Sequence, residues 1–183
     1  MKKYELTAEF IEQWGKKLFR IKALISFGSV EAGELGGYVE KEDNLAQDGD
    51  AWVCDDAWVC DDARVYGNAR VCDDAWVYGN AWVYGNAEVC GNAEVCGNAD
   101  YLLIGRIGSR FSFTTFFKNK DKGITVSCGC FLGTIAEFRA KVTDTHGNNK
   151  HAKMYNLAAD MAELQILGEE HFDKLNTNKS EPF

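Results

Sequence analysis

One proline, Pro182, occurs in the 183 residues, so no proline-rich linker divides the chain and almost nothing forbids a regular backbone before its last residues. Histidine is nearly as scarce: His146, His151 and His171 all fall late, leaving everything before them without an imidazole base or ligand. No apolar run is long enough to span a bilayer, and no membrane partner is expected. The opening MKKYELTAEFIEQWGKK scatters charges where a secretory signal needs a continuous apolar core, which makes the cytoplasm the expected location. Seven cysteines, an odd number with five at one repeat position, fit reduced thiols better than a disulfide framework.

What is abundant is a six-residue block, repeated without a gap from Ala51 to Asn98: AWVCDD, AWVCDD, ARVYGN, ARVCDD, AWVYGN, AWVYGN, AEVCGN, AEVCGN. Ala is always first and Val third, with Gly or Asp fifth and Asn or Asp sixth. Such a period describes a short strand with alternating inward and outward side chains, then a tight corner. Ala and Val line a narrow core, and Gly, Asp and Asn take the corner because they tolerate positive φ at least cost. The chain reads as mainly β: a parallel β-helix at residues 45–100, a cap and opening coil at 1–44, an α+β module at 101–168 and a mobile tail at 169–183.

If three blocks close one triangular turn, blocks three apart stack at about 4.8 Å. One face then stacks Trp52, Arg70 and Glu88 beside Cys54, Cys72 and Cys90. The next stacks Trp58, Trp76 and Glu94 beside Cys60, Tyr78 and Cys96, and the third stacks Arg64 and Trp82 beside Tyr66 and Tyr84. Cross-strand pairs of this kind stabilise by about 0.5–1 kcal/mol each. Four outward tryptophans expose more apolar area than a lone soluble chain tolerates, so Trp52, Trp58, Arg64, Tyr66, Arg70, Trp76, Tyr78, Trp82 and Tyr84 form an expected oligomer or partner surface. A second copy is the simplest cover, and a homotrimer is the favoured form.

The flanks are read by periodicity. Leu6, Phe10, Ile11 and Trp14 have helical spacing, and LFRIKALISFG reads as a strand; together they plug the solenoid end. Leu35–Asp50 keeps corners at Asp43-Asn44 and Gly49-Asp50 and reads as a degenerate coil. After Asn98, YLLIGRIGSR, FSFTTFFKNK and GITVSCGC read as three strands. A helix follows from about Thr134 with Ile135, Phe138 and Val142 inward and HGNN as its stop. A second runs from about Lys150 to Leu167 with Met154, Leu157, Ala158, Met161 and Leu164 as its apolar stripe.

The formal charge of -8 conceals a division. Residues 51–98 carry eight acids against two arginines, and residues 101–155 carry nine Lys and Arg against three acids. Direct DNA binding by the acidic coil is therefore not expected, and anions are expected at the basic module.

The hexads resemble those of left-handed β-helix proteins, the hexapeptide-repeat superfamily that includes trimeric acyltransferases. The run LFRIKAL, then GELGGYVEKEDNLAQDGDAWV, then the hexads, is similar to hexapeptide-repeat proteins of bacteriophages and prophages, and IGSR, VSCGCFLGT, EFRAKV and THG are similar to a domain that follows such repeats. The resemblance implies left-handed winding, a phage setting and, with it, the host cell cytosol. Acyltransferases of this superfamily place a histidine base near a cleft between subunits; here the repeat has neither histidine nor insertion, so no enzyme and no cofactor are expected.

Two chemistries remain to weigh. Cys128, Cys130 and His146 offer soft ligands but no fourth at a zinc spacing, so no metal is expected. Gly-containing turns at Gly108–Arg110 and Cys130–Thr134, the second running into a helix, with Arg106, Lys118 and Arg139 nearby, suggest an anion site built from Arg106, Ser109, Arg110, Lys118, Cys130, Gly133, Thr134 and Arg139. The expectation is a non-catalytic binding protein of counter-defence type, which inhibits a host defence protein or sequesters a nucleotide-like signal. A structural, polymer-forming or virion-associated β-helix is the alternative.

Overall fold

The computed structural model describes residues 2–177. The chain divides into two compact units, Met1–Asn98 and Ala99–Phe183.

The first unit opens with a β-hairpin, β1 (Tyr4–Gln13) against β2 (Lys16–Ala23), where the spacing predicts a helix. The register explains the difference. Leu6 pairs with Ile21 and Phe10 with Phe19, so a bulge slips extra residues into β1 and turns strand alternation into an apparent helical spacing. Trp14 and Gly15 both have positive φ (51° and 75°), the geometry of a two-residue hairpin turn.

Strand β3 (Leu35–Val39) pairs antiparallel with β2 and begins the coil. The solenoid strands follow at every hexad: β4 (Trp52–Val53), β5 (Trp58–Val59), β6 (Arg64–Val65), β7 (Arg70–Val71), β8 (Trp76–Val77), β9 (Trp82–Val83), β10 (Glu88–Val89) and β11 (Glu94–Val95). Trp52 pairs with Arg70 and Arg70 with Glu88; Trp58 pairs with Trp76 and Trp76 with Glu94; Arg64 pairs with Trp82, all parallel. The three columns expected from the period are those observed, in a β-solenoid of about three turns. Every repeat Ala and Val is buried, at 0% exposure.

The corners explain the choice between Asp and Gly at the fifth position. Asp55, Asp61 and Asp73 have positive φ like the glycines below them. Each Asp also reaches down one turn: the Asp55 carboxylate accepts from Asp73 N–H, Asp61 from Gly79 N–H and Asp73 from Gly91 N–H, at 2.8–3.3 Å. Gly79 could not be replaced, since a Cβ there would meet the Cys96 carbonyl oxygen at 2.4 Å. The opening coil is tied in by Asn44, which is fully buried and donates to the carbonyls of Asp61 and Ala63. Cys54 and Cys72, stacked one turn apart, form a disulfide, which corrects the reading of all seven as thiols; the other five are not in disulfides.

The second unit is an antiparallel sheet, β12 (Tyr101–Ile107), β13 (Ser112–Lys118), β14 (Ile124–Cys128) and β15 (Phe131–Thr134), backed by α1 (Ile135–His146) and α2 (Lys150–Leu167). β15 is a strand more than the sequence suggests, formed because the Gly129 turn (φ 62°) folds Phe131 back onto Cys128. Phe116, Ile124, Val126, Phe138, Val142 and Tyr155 make the core with the alanines of α2. The stripe expected on α2 is mostly reversed: Ala152, Ala158, Ala159 and Ala162 face inward, whereas Met154, Leu157, Met161 and Leu164 are exposed. α3 (Glu169–Thr177) takes up the start of the expected tail, whose residues 178–183 lie outside the described residues. No helix among the described residues is long and apolar enough to cross a membrane.

Candidate functional site: the open face of the solenoid

The three faces of the solenoid begin alike in sequence and end differently, because the hairpin and the loop after it cover two of them. On the first, Tyr4 and Phe27 stand edge-on to Trp52, with ring centroids at 6.3 and 5.4 Å, and Trp52 is fully buried. The Tyr4 hydroxyl donates to the carbonyls of Glu42 and Leu45. Lys3 is buried beside it, its Nζ donating to the Ala51 carbonyl at 2.9 Å and lying over the Phe27 ring. Burial lowers the Lys3 ammonium to about 8, against the pull of Asp48 and Asp50 in the other direction. Arg70, farther down that face, donates to the Ser29 hydroxyl.

On the second face the hairpin tip closes over the aromatic column. Trp14 stands edge-on to Trp58, Trp76 and Tyr78 with centroids at 4.9, 5.6 and 5.0 Å, and Trp58 stacks on Trp76 at 5.1 Å. Trp58 is 3% exposed. Lys16 pins the turn by ion pairs to Asp61 and Glu40. That ammonium also occupies the cluster of Glu40, Cys60 and Asp61 that has the spacing of a metal cage, and the Cys54, Asp55, Cys72 group contains the disulfide. Cover for Trp52 and Trp58 thus comes from the same chain, where the sequence suggested a second copy.

The third face keeps its aromatic rings accessible. Tyr66 stacks on Tyr84 at 5.4 Å and meets the Trp82 edge at 6.4 Å, while the Arg64 guanidinium lies 6.0 Å from the Trp82 ring centre. Trp82 is 47% and Tyr84 50% exposed. Arg64, Tyr66, Trp82 and Tyr84 form a ridge, and Arg64 and Trp82 border two hollows. One, about 480 Å³, is lined by Glu42, Asp43, Gln47, Tyr66 and backbone of the opening coil; the other, about 250 Å³, includes Lys41, Asp43 and Asp62. Aromatic faces, a guanidinium, an amide and carboxylates within one groove are a recognition set. The sequence singled out the four ridge residues and missed Glu42, Asp43 and Gln47, whose only signal was a corner in a degenerate coil.

The residues of the expected anion site are dispersed in the second unit. Lys118 pairs with Asp100. Arg139 is bound by Asp160 and Glu163, both at 2.7 Å, and by Asn156, and so clamps α1 to α2. Thr134 caps α1 through the Glu137 N–H, and the Glu137 carboxylate accepts from the Thr134 N–H and hydroxyl; these bonds hold Glu137 below the usual carboxylate range and fill the helix start with an anion of the chain's own. Gly133 lies against Glu137, and Cys130 is exposed in the β14–β15 turn. Arg106, Ser109 and Arg110 are exposed at the end of β12 and its turn. Arg110 lies near Gly129 and Tyr155, whose hydroxyl burial, and then the Cys128 thiol beside it, push upward.

Residues 57–73, 63–79 and 69–85 each match the model of the YdcK beta-solenoid repeat. Each match spans about one turn of the coil; the first two include Arg64 and Tyr66, and the third includes Trp82 and Tyr84. No curated protein matches the chain.

Proposed function

We propose that the protein is a non-catalytic binding protein that holds a partner protein on the third face of its solenoid, along the ridge of Arg64, Tyr66, Trp82 and Tyr84. The observation that carries this reading is the unequal treatment of the three faces: the hairpin and its loop cover Trp52 on the first and the Trp58–Trp76–Tyr78 column on the second, and on the third Trp82 and Tyr84 stay about half exposed. Trp, Tyr and Arg supply most of the energy at protein–protein contacts because each combines a large apolar area with a polar handle. The hollows on either side of the ridge accept partner side chains, and Glu42 and Asp43 suit a cationic one. In the left-handed, phage-type setting that the resemblance implies, the partner is a host defence protein.

The second reading is sequestration of a nucleotide-like anion at the C-terminal unit. It rests on Arg106 and Arg110, which are exposed and have no ion pair among the described residues. Native mass spectrometry of the protein purified from its host separates the two. Retention of a stoichiometric protein, lost in the Arg64→Glu/Trp82→Ala variant and kept in Arg106→Glu/Arg110→Glu, supports the first reading; the reverse pattern, with a retained small molecule, supports the second. Open-ended assembly in light scattering, without a bound partner, would count against both and for a polymer-forming role.

A further inference from the structure

Helix α2 has two apolar faces. Its alanine face is buried against the sheet, and on the other Met154, Leu157, Met161 and Leu164 are 39–63% exposed. Spacings of three, four and three residues are those of a coiled-coil seam, and a contiguous apolar row of this length on a surface marks a contact. Charge is segregated between the start of α2 and the start of α3, which follows it after Gly168. Lys150 and Lys153 stand in the first turns of α2, and Glu169 and Glu170 open α3. None of these four has an ion pair among the described residues, whereas the helix's own acids, Asp160 and Glu163, are engaged by Arg139.

A row that is positive at one end and negative at the other is complementary to itself turned end for end. We infer that α2 is the surface through which two copies of this chain pair, antiparallel about a two-fold axis. Reversing the seam on itself sets Met154 opposite the partner's Leu164 and Leu157 opposite the partner's Met161. Lys150 then lies level with the partner's Gly168, beside the partner's Glu169 and the partner's Glu170. A parallel pair would instead set lysine against lysine and glutamate against glutamate. The helix dipoles also oppose in the antiparallel arrangement. An isologous contact of this kind closes at two copies, so it gives a dimer and not a polymer or the trimer the sequence suggested. Four half-exposed side chains make a small seam beside the roughly 800 Å² per partner typical of a stable interface, so pairing is expected to depend on concentration. It lies in the second unit and is independent of the partner-binding reading of the solenoid.

Sedimentation equilibrium of the full chain, from about 1 to about 200 μM, tests it. The expected result is a monomer–dimer equilibrium that Leu157→Lys weakens at least tenfold (~10-fold or more) with helix content unchanged by circular dichroism. Met161→Lys serves as the second variant should Leu157→Lys perturb folding. Reversing charge with Lys150→Glu/Lys153→Glu weakens the dimer, and adding Glu169→Lys/Glu170→Lys restores it. A monomer throughout the range, a trimer, a dimer untouched by either seam variant, or one indifferent to the charge reversals overturns the inference.

Discussion

Trp14 stands edge-on to Trp58, ring centroids 4.9 Å apart and planes at 85°, although the two lie in different elements and the first occupies a two-residue turn. That contact seals one face of the solenoid. Replacing Trp14 by Ala removes the edge partner of Trp58, Trp76 and Tyr78 together. The indole is about half exposed, so the loss of stability is expected at about 2 kcal/mol, below the range for a fully buried tryptophan. Urea unfolding measures it, and the fluorescence of the folded variant shifts to the red as Trp58 and Trp76 meet water. Trp82→Ala, on the open face, is expected to cost less than half as much.

Lys3 gives a pH dependence with a definite sign. Its folded value, about 8, lies below the unfolded 10.5, so between the two the folded chain holds fewer protons than the unfolded one. The Lys3 contribution to stability therefore becomes more favourable as pH rises through that window, by up to roughly 1 kcal/mol per unit. Tyr4, pushed upward by burial, acts in the opposite sense at higher pH and is common to wild type and variant. The stability of wild type relative to Lys3→Met should rise from about pH 7.5 to about pH 9.5, and the Lys3 Cε resonances should titrate near 8. A midpoint above 10 for those resonances contradicts the burial described.

Arg139 holds two helices together, so its loss is structural. Breaking its contacts with Asp160 and Glu163 leaves Glu163 buried without a countercharge, at a cost of roughly 3 kcal/mol. Arg139→Glu is expected to melt the second unit early while the solenoid keeps its own transition. Thr134→Ala, which removes only the α1 cap, should cost about 1 kcal/mol. Differential scanning calorimetry with both variants checks the pair. An Arg139→Glu protein as stable as wild type would return this arginine to the list of ligand-binding candidates.

Cysteine reactivity follows burial. Cys60 is enclosed by the second face, where burial first and then the Asp61 carboxylate push its thiol up to about 12; it should resist alkylation of the native protein. Cys130 is exposed and should react first. Peptide mapping after brief iodoacetamide treatment reads both, and with the Cys54–Cys72 disulfide intact neither of its cysteines is labelled.

The solenoid was legible because its period leaves no freedom: Trp52, Arg70 and Glu88 fall in one column by arithmetic alone, and α1 and α2 announced their ends through Thr134, Gly147 and Asn149. The hairpin was hidden by its bulge, which gave Leu6, Phe10 and Ile11 a helical spacing. The inner face of α2 was hidden by residue size. Small alanines allow close approach to the sheet, and a reading that puts the largest apolar residues inside turned that helix around. The open face was half legible. Its aromatic column followed from the repeat, but that it alone stays accessible depends on where Tyr4, Phe27 and Trp14 pack, long-range contacts with no local signature.

Oxidative footprinting of the native protein, read tryptophan by tryptophan by mass spectrometry, tests most directly whether the chain covers its own aromatic columns and leaves one open. Trp82 and Trp14 should be modified quickly, Trp76 more slowly, and Trp52 and Trp58 only after unfolding. Modification of Trp52 and Trp58 as fast as Trp82 would mean that the hairpin does not seal those faces, and the case for a single contact surface would fall with it.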